Sequence, residues 1–212
     1  LCALLFLIPI LAISSPVSAE LSGNVAFSTE GLSMSPSTAV EGGSVTFTLS
    51  LQNVASTIAE DVVVEFHKNS FQMGNPAALH IVDVDPSSIE DVDFVWSNIA
   101  WGDGEQTLVI RVNHNEDPKI ISHDFDVEGL ANLRFSYFEL SPATGAYEGE
   151  PVQIQIEVEN AGHADAPASH LELTVAGTAN LLSVSPLQAG DSVWMNQTAT
   201  APSAGTYDVF GV

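Results

Sequence analysis

Basic residues are almost missing from this chain. Lys68, Arg111, Lys119 and Arg134 are the only four, set against 27 acidic residues, for a formal net charge of -23. That shortage excludes nucleic acid as a partner, because phosphate contacts rely on Lys and Arg to displace counterions. It also excludes direct binding to an anionic membrane surface. The acids are spread through strand-like alternations and not gathered in a tail. They read as a solvated coat that keeps the protein soluble, as would suit a marine or halophilic archaeon.

Cysteine is nearly absent too. The single Cys2 precedes an apolar run, whereas a lipid-anchored cysteine would follow one. The mature chain is therefore expected to hold no disulfide, no thiol nucleophile and no cysteine metal site. The one long apolar run, Leu1 to Ile13, is broken by Pro9 and falls short of the roughly 20 residues a membrane span needs. It leads into Val17-Ser18-Ala19, which fits a secretory cleavage site. Residues 1–19 thus read as a signal peptide, cut short at its start because no initiator Met or basic stretch precedes it. The mature protein is expected to begin near Glu20 and to lie outside the cell, secreted or on its surface.

Catalytic signatures are missing as well. There is no HExxH, no Gly-x-Ser-x-Gly elbow and no phosphate-cradling glycine loop. Amphipathic helices of ordinary length are not found either. In their place, the chain repeats itself. Glu41-Gly42-Gly43-Ser44-Val45-Thr46-Phe47-Thr48-Leu49 returns as Glu148-Gly149-Glu150-Pro151-Val152-Gln153-Ile154-Gln155-Ile156, and each copy follows a Ser-Pro step, Ser35-Pro36 and Ser141-Pro142. A repeat of about one hundred residues is a domain, not a solenoid unit.

Both copies alternate with period two. Val45, Phe47, Leu49 and Leu51 share one face, as do Val152, Ile154, Ile156 and Val158. Such strands put one face in a core and the other in water. Val62, Val64 and Phe66, then Val92, Phe94 and Trp96, then Leu108, Ile110 and Val112, and finally Ile121, His123, Phe125 and Val127 continue the pattern in the first copy. Leu171, Leu173 and Val175 continue it in the second. Short strands separated by Gly, Pro, Asn and Asp predict an all-β fold: two tandem immunoglobulin-like antiparallel β-sandwiches after the signal. Asn24 to Ser28 echoes Asn132 to Ser136, which sets the domains at 20–128 and 130–212. Ala204-Gly205-Thr206-Tyr207 answers Glu105-Gln106-Thr107-Leu108, so the second sandwich is expected to lack its last strand and the sequence to be a piece of a longer protein.

These residues resemble the CARDB family, the immunoglobulin-like "cell adhesion related domain found in bacteria", also common in archaeal surface proteins. The second copy carries the pattern in Ser141-Pro142, Glu148-Gly149-Glu150, Val158-Glu159-Asn160-Ala161-Gly162, Leu187-Gln188-Ala189-Gly190-Asp191-Ser192 and Ala201 to Tyr207. The first copy departs from it: Asn53-Val54-Ala55 lacks the glycine, and Asp85-Pro86-Ser87 replaces the Ala-Gly-Asp step. The resemblance implies a seven-stranded sandwich used as a spacer or adhesion module, and it supplies no catalytic residues.

Few residues stand out as site candidates. Asp83, Asp85, Asp91 and Asp93 form the densest acidic stretch and are the calcium candidates. The EF-hand order fails there, and Asp91 and Asp93 alternate with core residues as solvent-face carboxylates would. Otherwise no cofactor is expected. The six histidines read as surface or loop residues. Trp96, Trp101 and Trp194 could stack on sugars; Trp96 fits a sandwich core, leaving Trp101, beside Gly102-Asp103-Gly104, as the exposed aromatic. Asn196-Gln197-Thr198 is a glycosylation sequon. The expected function is a non-enzymatic extracellular spacer or adhesion element whose partner is a protein or glycan at the cell surface. The alternative is an accessory region of a larger secreted protease or glycoside hydrolase.

Overall fold

The computed structural model of the chain describes residues 19–143, 145–203 and 209–211. The apolar signal segment with Cys2, and the Ala204 to Tyr207 counterpart of the late strand, lie outside the described residues. Among those described there is no α-helix, and no helix is long and apolar enough to cross a membrane. The fold is all-β and sandwich-like, as the alternation predicts.

The chain divides into two compact units. One holds the described residues up to Ser37 with Val45–Trp96 and Gln106–Phe125; the other holds Thr38–Ser44, Ser97–Glu105 and the residues from Asp126 onward. Neither unit is contiguous in sequence.

Among the described residues, ten strands precede Gly129. One sheet joins β1 (Glu20–Ser22), β2 (Val25–Phe27), β3 (Leu32–Ser35), β5 (Ser44–Asn53) and β8 (Ile89–Ser97). In it β2 and β3 follow one another along β5, split by a 3-10 turn at Thr29–Gly31, while β8 also pairs with β5. The other sheet has the order β4 (Ala39–Val40), β10 (Lys119–Glu128), β9 (Glu105–Asn113), β6 (Ala59–Lys68) and β7 (Ala78–Val84). In it β6 pairs antiparallel with both β7 and β9, and β10 pairs parallel with β4. The alternating side chains of both sheets meet in an aromatic core. Phe66 of β6 stacks on Phe94 of β8 with centroids 5.1 Å apart, and Phe125 of β10 meets Phe47 of β5 at 5.2 Å and Trp96 of β8 at 5.3 Å, both edge-on. Edge-to-face and offset pairs suit the ring quadrupole and add about 0.5–1.5 kcal/mol each beyond burial.

Six strands follow. One sheet has the order β11 (Leu133–Ser141), β12 (Pro151–Asn160), β15 (Ser192–Thr200); the other has β14 (Thr178–Val184), β13 (Ser169–Val175), β16 (Val209–Gly211). Ile154, Ile156 and Val158 of β12 pack with Leu171 and Leu173 of β13, Val184 of β14, and Ala166 and Leu187. This core is aliphatic.

The repeat is a repeat of hydrogen bonds. Asn53 and Asn160 are both fully buried. The Asn53 amide donates to the Thr57 and Val84 carbonyls at 2.8 and 2.9 Å, and its oxygen accepts the Ala55 N–H at 3.0 Å. Asn160 donates to Ala164 and Leu187 at 2.8 and 3.2 Å and accepts from Gly162 at 3.1 Å. The backbone N–H groups match as well: Asn53 donates to Ser88 and Asn160 to Asp191. A buried amide persists only where its donors and acceptor are satisfied. The Ser35-Pro36 and Ser141-Pro142 bonds are both cis.

Candidate functional site

The four candidate carboxylates occupy separate roles. Asp83 accepts the Asp61 N–H at 2.9 Å. Asp91 accepts the Ser50 hydroxyl and Asp93 the Thr48 hydroxyl, each at 2.6 Å, along the outer face of β5 and β8. The Asp85 carbonyl, not its carboxylate, receives the Ser88 hydroxyl at 2.8 Å. Among the described residues no three His, Cys, Asp or Glu side chains group as metal ligands would.

Two histidines are not surface residues. His67 and His114 are buried at 1% and 6% exposure. His67 points outward from β6, where Phe71 covers its ring at 4.7 Å. Its Nδ1 accepts the Gln72 N–H at 3.4 Å, and its Nε2 lies 3.5 Å from Glu65, whose carboxylate Arg111 holds at 3.0 Å. His114 sits against the β1–β2 hairpin, where its Nδ1 accepts the Asn24 N–H at 3.4 Å. Alternation alone assigns His67 to water, and the loop carrying Phe71 covers it; His114 follows the end of β9 and continues the buried parity of Leu108, Ile110 and Val112.

The tryptophans separate cleanly. Trp96 is in the core at 3% exposure, as its alternation predicts. Trp101 is not a free aromatic: the His163 ring stacks on it at 4.3 Å with the planes 7° apart. Glu41, in the same unit, binds His163 Nδ1 with both carboxylate oxygens at 2.9 and 3.0 Å and accepts the Leu130 N–H at 3.2 Å. The His163 hydrogen bond, then that of Leu130, hold the Glu41 carboxyl below the ordinary glutamate range. Nothing in the local sequence joins residues 41, 101 and 163.

Trp194 is the exposed tryptophan, at 48%. It lies on the outer face of the β11–β12–β15 sheet. The register sets Tyr137, Glu157 and Trp194 in one row across the three strands, and Glu139, Gln155 and Asn196 in the next. The Tyr137 and Trp194 rings lean together over the middle strand, 5.2 Å apart and tilted by 58°. Tyr137 keeps 41% of its surface exposed. Its hydroxyl donates to Glu139, which holds the phenol above the ordinary tyrosine range. Glu157 accepts the Ser192 and Ser136 hydroxyls from the strands on either side, each at 2.7 Å, and these bonds hold its carboxyl low. Asn196 is exposed on this same face. Sequence reasoning singled out Trp194 and Asn196 but not Tyr137, whose neighbourhood exists only through strand register.

Residues 137–212 match the model of the CARDB family, a family of non-catalytic, adhesion-related domains. No curated protein matches the chain. Similar solved structures include red sea bream transglutaminase, at 10% identity and a TM-score of 0.36 over 85% of this chain and 28% of that one. Another is the Pseudomonas aeruginosa CupB2 chaperone, at 10% identity and a TM-score of 0.29 over 84% and 98%. This chain thus spans little more than a quarter of the length of the transglutaminase.

Proposed function

We propose that the chain is a non-enzymatic extracellular spacer and adhesion element made of tandem sandwiches at residues 20–128 and 130–212. The observation that carries this reading is the CARDB match over residues 137–212. Three further features support it. The same buried asparagine and its bonds recur in both copies, so each copy is a self-consistent frame. The short Asp126 to Ala131 connection holds no Ser/Gly-rich tract of the kind that makes a floppy linker. The net charge of -23 keeps such an element soluble and turns away anionic partners. The signal-like residues 1–19 direct it outward, and contact with a protein or glycan of the cell surface falls to exposed loops and sheet faces.

The test is surface labelling of intact producing cells with antibodies to the chain, followed by protease shaving. The expected result is labelling without lysis and loss of the antigen on shaving. Antigen reached only after lysis would sink the reading.

A further inference from the structure

We infer that the outer face of the β11–β12–β15 sheet is a binding platform for a neutral polysaccharide, centred on Tyr137 and Trp194. The inference rests on the adhesion reading above and names its partner class.

The outer face of an antiparallel sheet is ordinarily polar. The first copy obeys this. There the positions matching Trp194 and Asn196 are Asp91 and Asp93, each closed off by a hydroxyl of β5. The place matching Tyr137 falls in the 3-10 turn at Thr29–Gly31. The second copy has replaced a closed polar surface with two large rings. A cross-strand aromatic pair steadies a sheet, yet these two rings keep 41% and 48% of their surface in water. The pair is a modification of the frame, not part of it.

The chemistry of the surroundings selects the occupant. Ring faces take the apolar C–H faces of pyranose sugars, while planar amides and carboxylates bond hydroxyls at the rim. Gln155 and Asn196, both exposed, stand in the next row with Glu139. Glu139 and Glu157 make the face negative, as does the chain as a whole. Uronic, sulfated and phosphate-bearing polymers are therefore repelled. Arg134, the one Lys or Arg on these three strands, is held by both oxygens of Glu159 at 3.2–3.3 Å and is not available to offset that charge. Two exposed aromatics on an open sheet face fit a polyhydroxylated chain better than a protein anchor, which needs a desolvated pocket.

The test is native gel electrophoresis of the full chain in gels cast with hydroxyethylcellulose, galactomannan or starch, with chondroitin sulfate for comparison. At least one neutral polymer should retard the protein, high salt should leave the retardation in place, and chondroitin sulfate should have no effect. Trp194→Ala should weaken binding about tenfold or more, the scale of an aromatic anchor. Tyr137→Ala should weaken it several-fold, and Trp101→Ala should leave it unchanged. Circular dichroism checks that each variant is folded.

Four results would overturn the inference. They are no retardation by any of the three neutral polymers, retardation that survives Trp194→Ala, retardation abolished by salt as a cationic peptide site would show, and a glycan on Asn196 of the native protein that fills the face from within. Beads coated with the chain separate this from the broader reading. Beads that hold to cell envelopes regardless of Trp194 leave adhesion standing and remove the glycan face. Beads that never hold while the gels still retard the chain remove adhesion alone.

Discussion

Phe47 and Ile154 occupy the same place in the two copies of the repeated strand. Around Phe47 the core is aromatic and sealed: Phe47, Phe66, Phe94, Trp96 and Phe125 are all at 5% exposure or less. Around Ile154 it is aliphatic, and Leu140, Val152, Val193, Met195 and Ala199 are only partly buried. The hydrogen-bond alignment explains the difference. Since Ser88 and Asp191 receive the matching asparagine N–H, Phe94 corresponds to Gln197 and Trp96 to Ala199. The bonded frame has been kept while the filling has changed. Backbone pairing and the buried asparagine set the topology, and side-chain volume sets how tightly it closes.

The largest difference between the two cores is expected on truncation. Phe47→Ala removes a ring that contacts Phe94 and Phe125 and should cost about 3–5 kcal/mol. Ile154→Ala, in a core whose neighbours are already partly wet, should cost about 2 kcal/mol, the low end for such a change. Urea unfolding of the two variants measures both. Equal losses would break the distinction between a sealed and an open core.

A smaller effect is expected at a point where only the second copy carries glycine. Gly162 stands where the first copy has Ala55. The chain at Leu130 to Asn132 passes directly over it and accepts bonds from both its neighbours: the His163 N–H donates to the Leu130 carbonyl and the Ala161 N–H to the Asn132 carbonyl, each at 2.8 Å. A Cβ at 162 would lie 2.1 Å from the Leu130 oxygen and 2.5 Å from the Asn132 nitrogen. Backbone must move to admit it. Gly162→Ala should cost about 3 kcal/mol, the upper part of the overpacking range, whereas Ala55→Gly should cost less than about 1 kcal/mol. Comparable melting temperatures for the two variants would contradict the crossing.

Much of this frame is legible in the sequence, and the illegible parts have physical causes. β5, β6, β8, β9, β10 and β12 show themselves because one face is buried and the other wet, which writes period two into the residues. β7 is hidden because its outward residues include Leu79 and Ile81, 54% and 61% exposed, so alternation does not reveal its buried side. β14 is hidden in the same way by Leu181, at 66%. The opening strands differ for a local reason. Eleven residues lead from Asn24 to Ser35 and nine from Asn132 to Ser141. The longer path makes the 3-10 turn at Thr29–Gly31, and the shorter one runs on as β11 with a bulge between Phe135 and Tyr137. That bulge places Tyr137 opposite Glu157. The candidate platform was therefore half legible: Trp194 and Asn196 stand out in the sequence, but their partner is fixed by a register that no local pattern records.

Where the copies agree, the same substitution should have the same effect. Asn53→Ala and Asn160→Ala each strand one buried carbonyl, one partly buried carbonyl and a backbone N–H. Each should cost about 2 kcal/mol, within the usual range for a buried group left unpaired. Asn160 also accepts the Asn132 N–H at 3.0 Å, so any inequality should fall on its side. A loss confined to one copy would mean that the shared asparagine is not the anchor of the frame.

The mildest expected effect concerns Glu41, which corresponds to Glu148 of the second copy. Glu41 is bound by His163 and by the Leu130 N–H, and its carboxyl is held low by them, His163 first. A carboxyl whose folded value is depressed contributes stability that is fully present above its ordinary value and is lost as pH falls through the lowered one. The stack of Trp101 on His163 should therefore persist through the ordinary glutamate range and loosen only below it. The difference in near-ultraviolet circular dichroism between the wild type and Trp101→Phe isolates that stack. It should fade on acidification below the usual glutamate value, and in Glu41→Gln it should already be weak at neutral pH with no acid step. A stack that keeps its full signal in Glu41→Gln would show that ring packing alone holds His163. The carboxylate would then be an ordinary exposed ion pair, of the kind that contributes little in water.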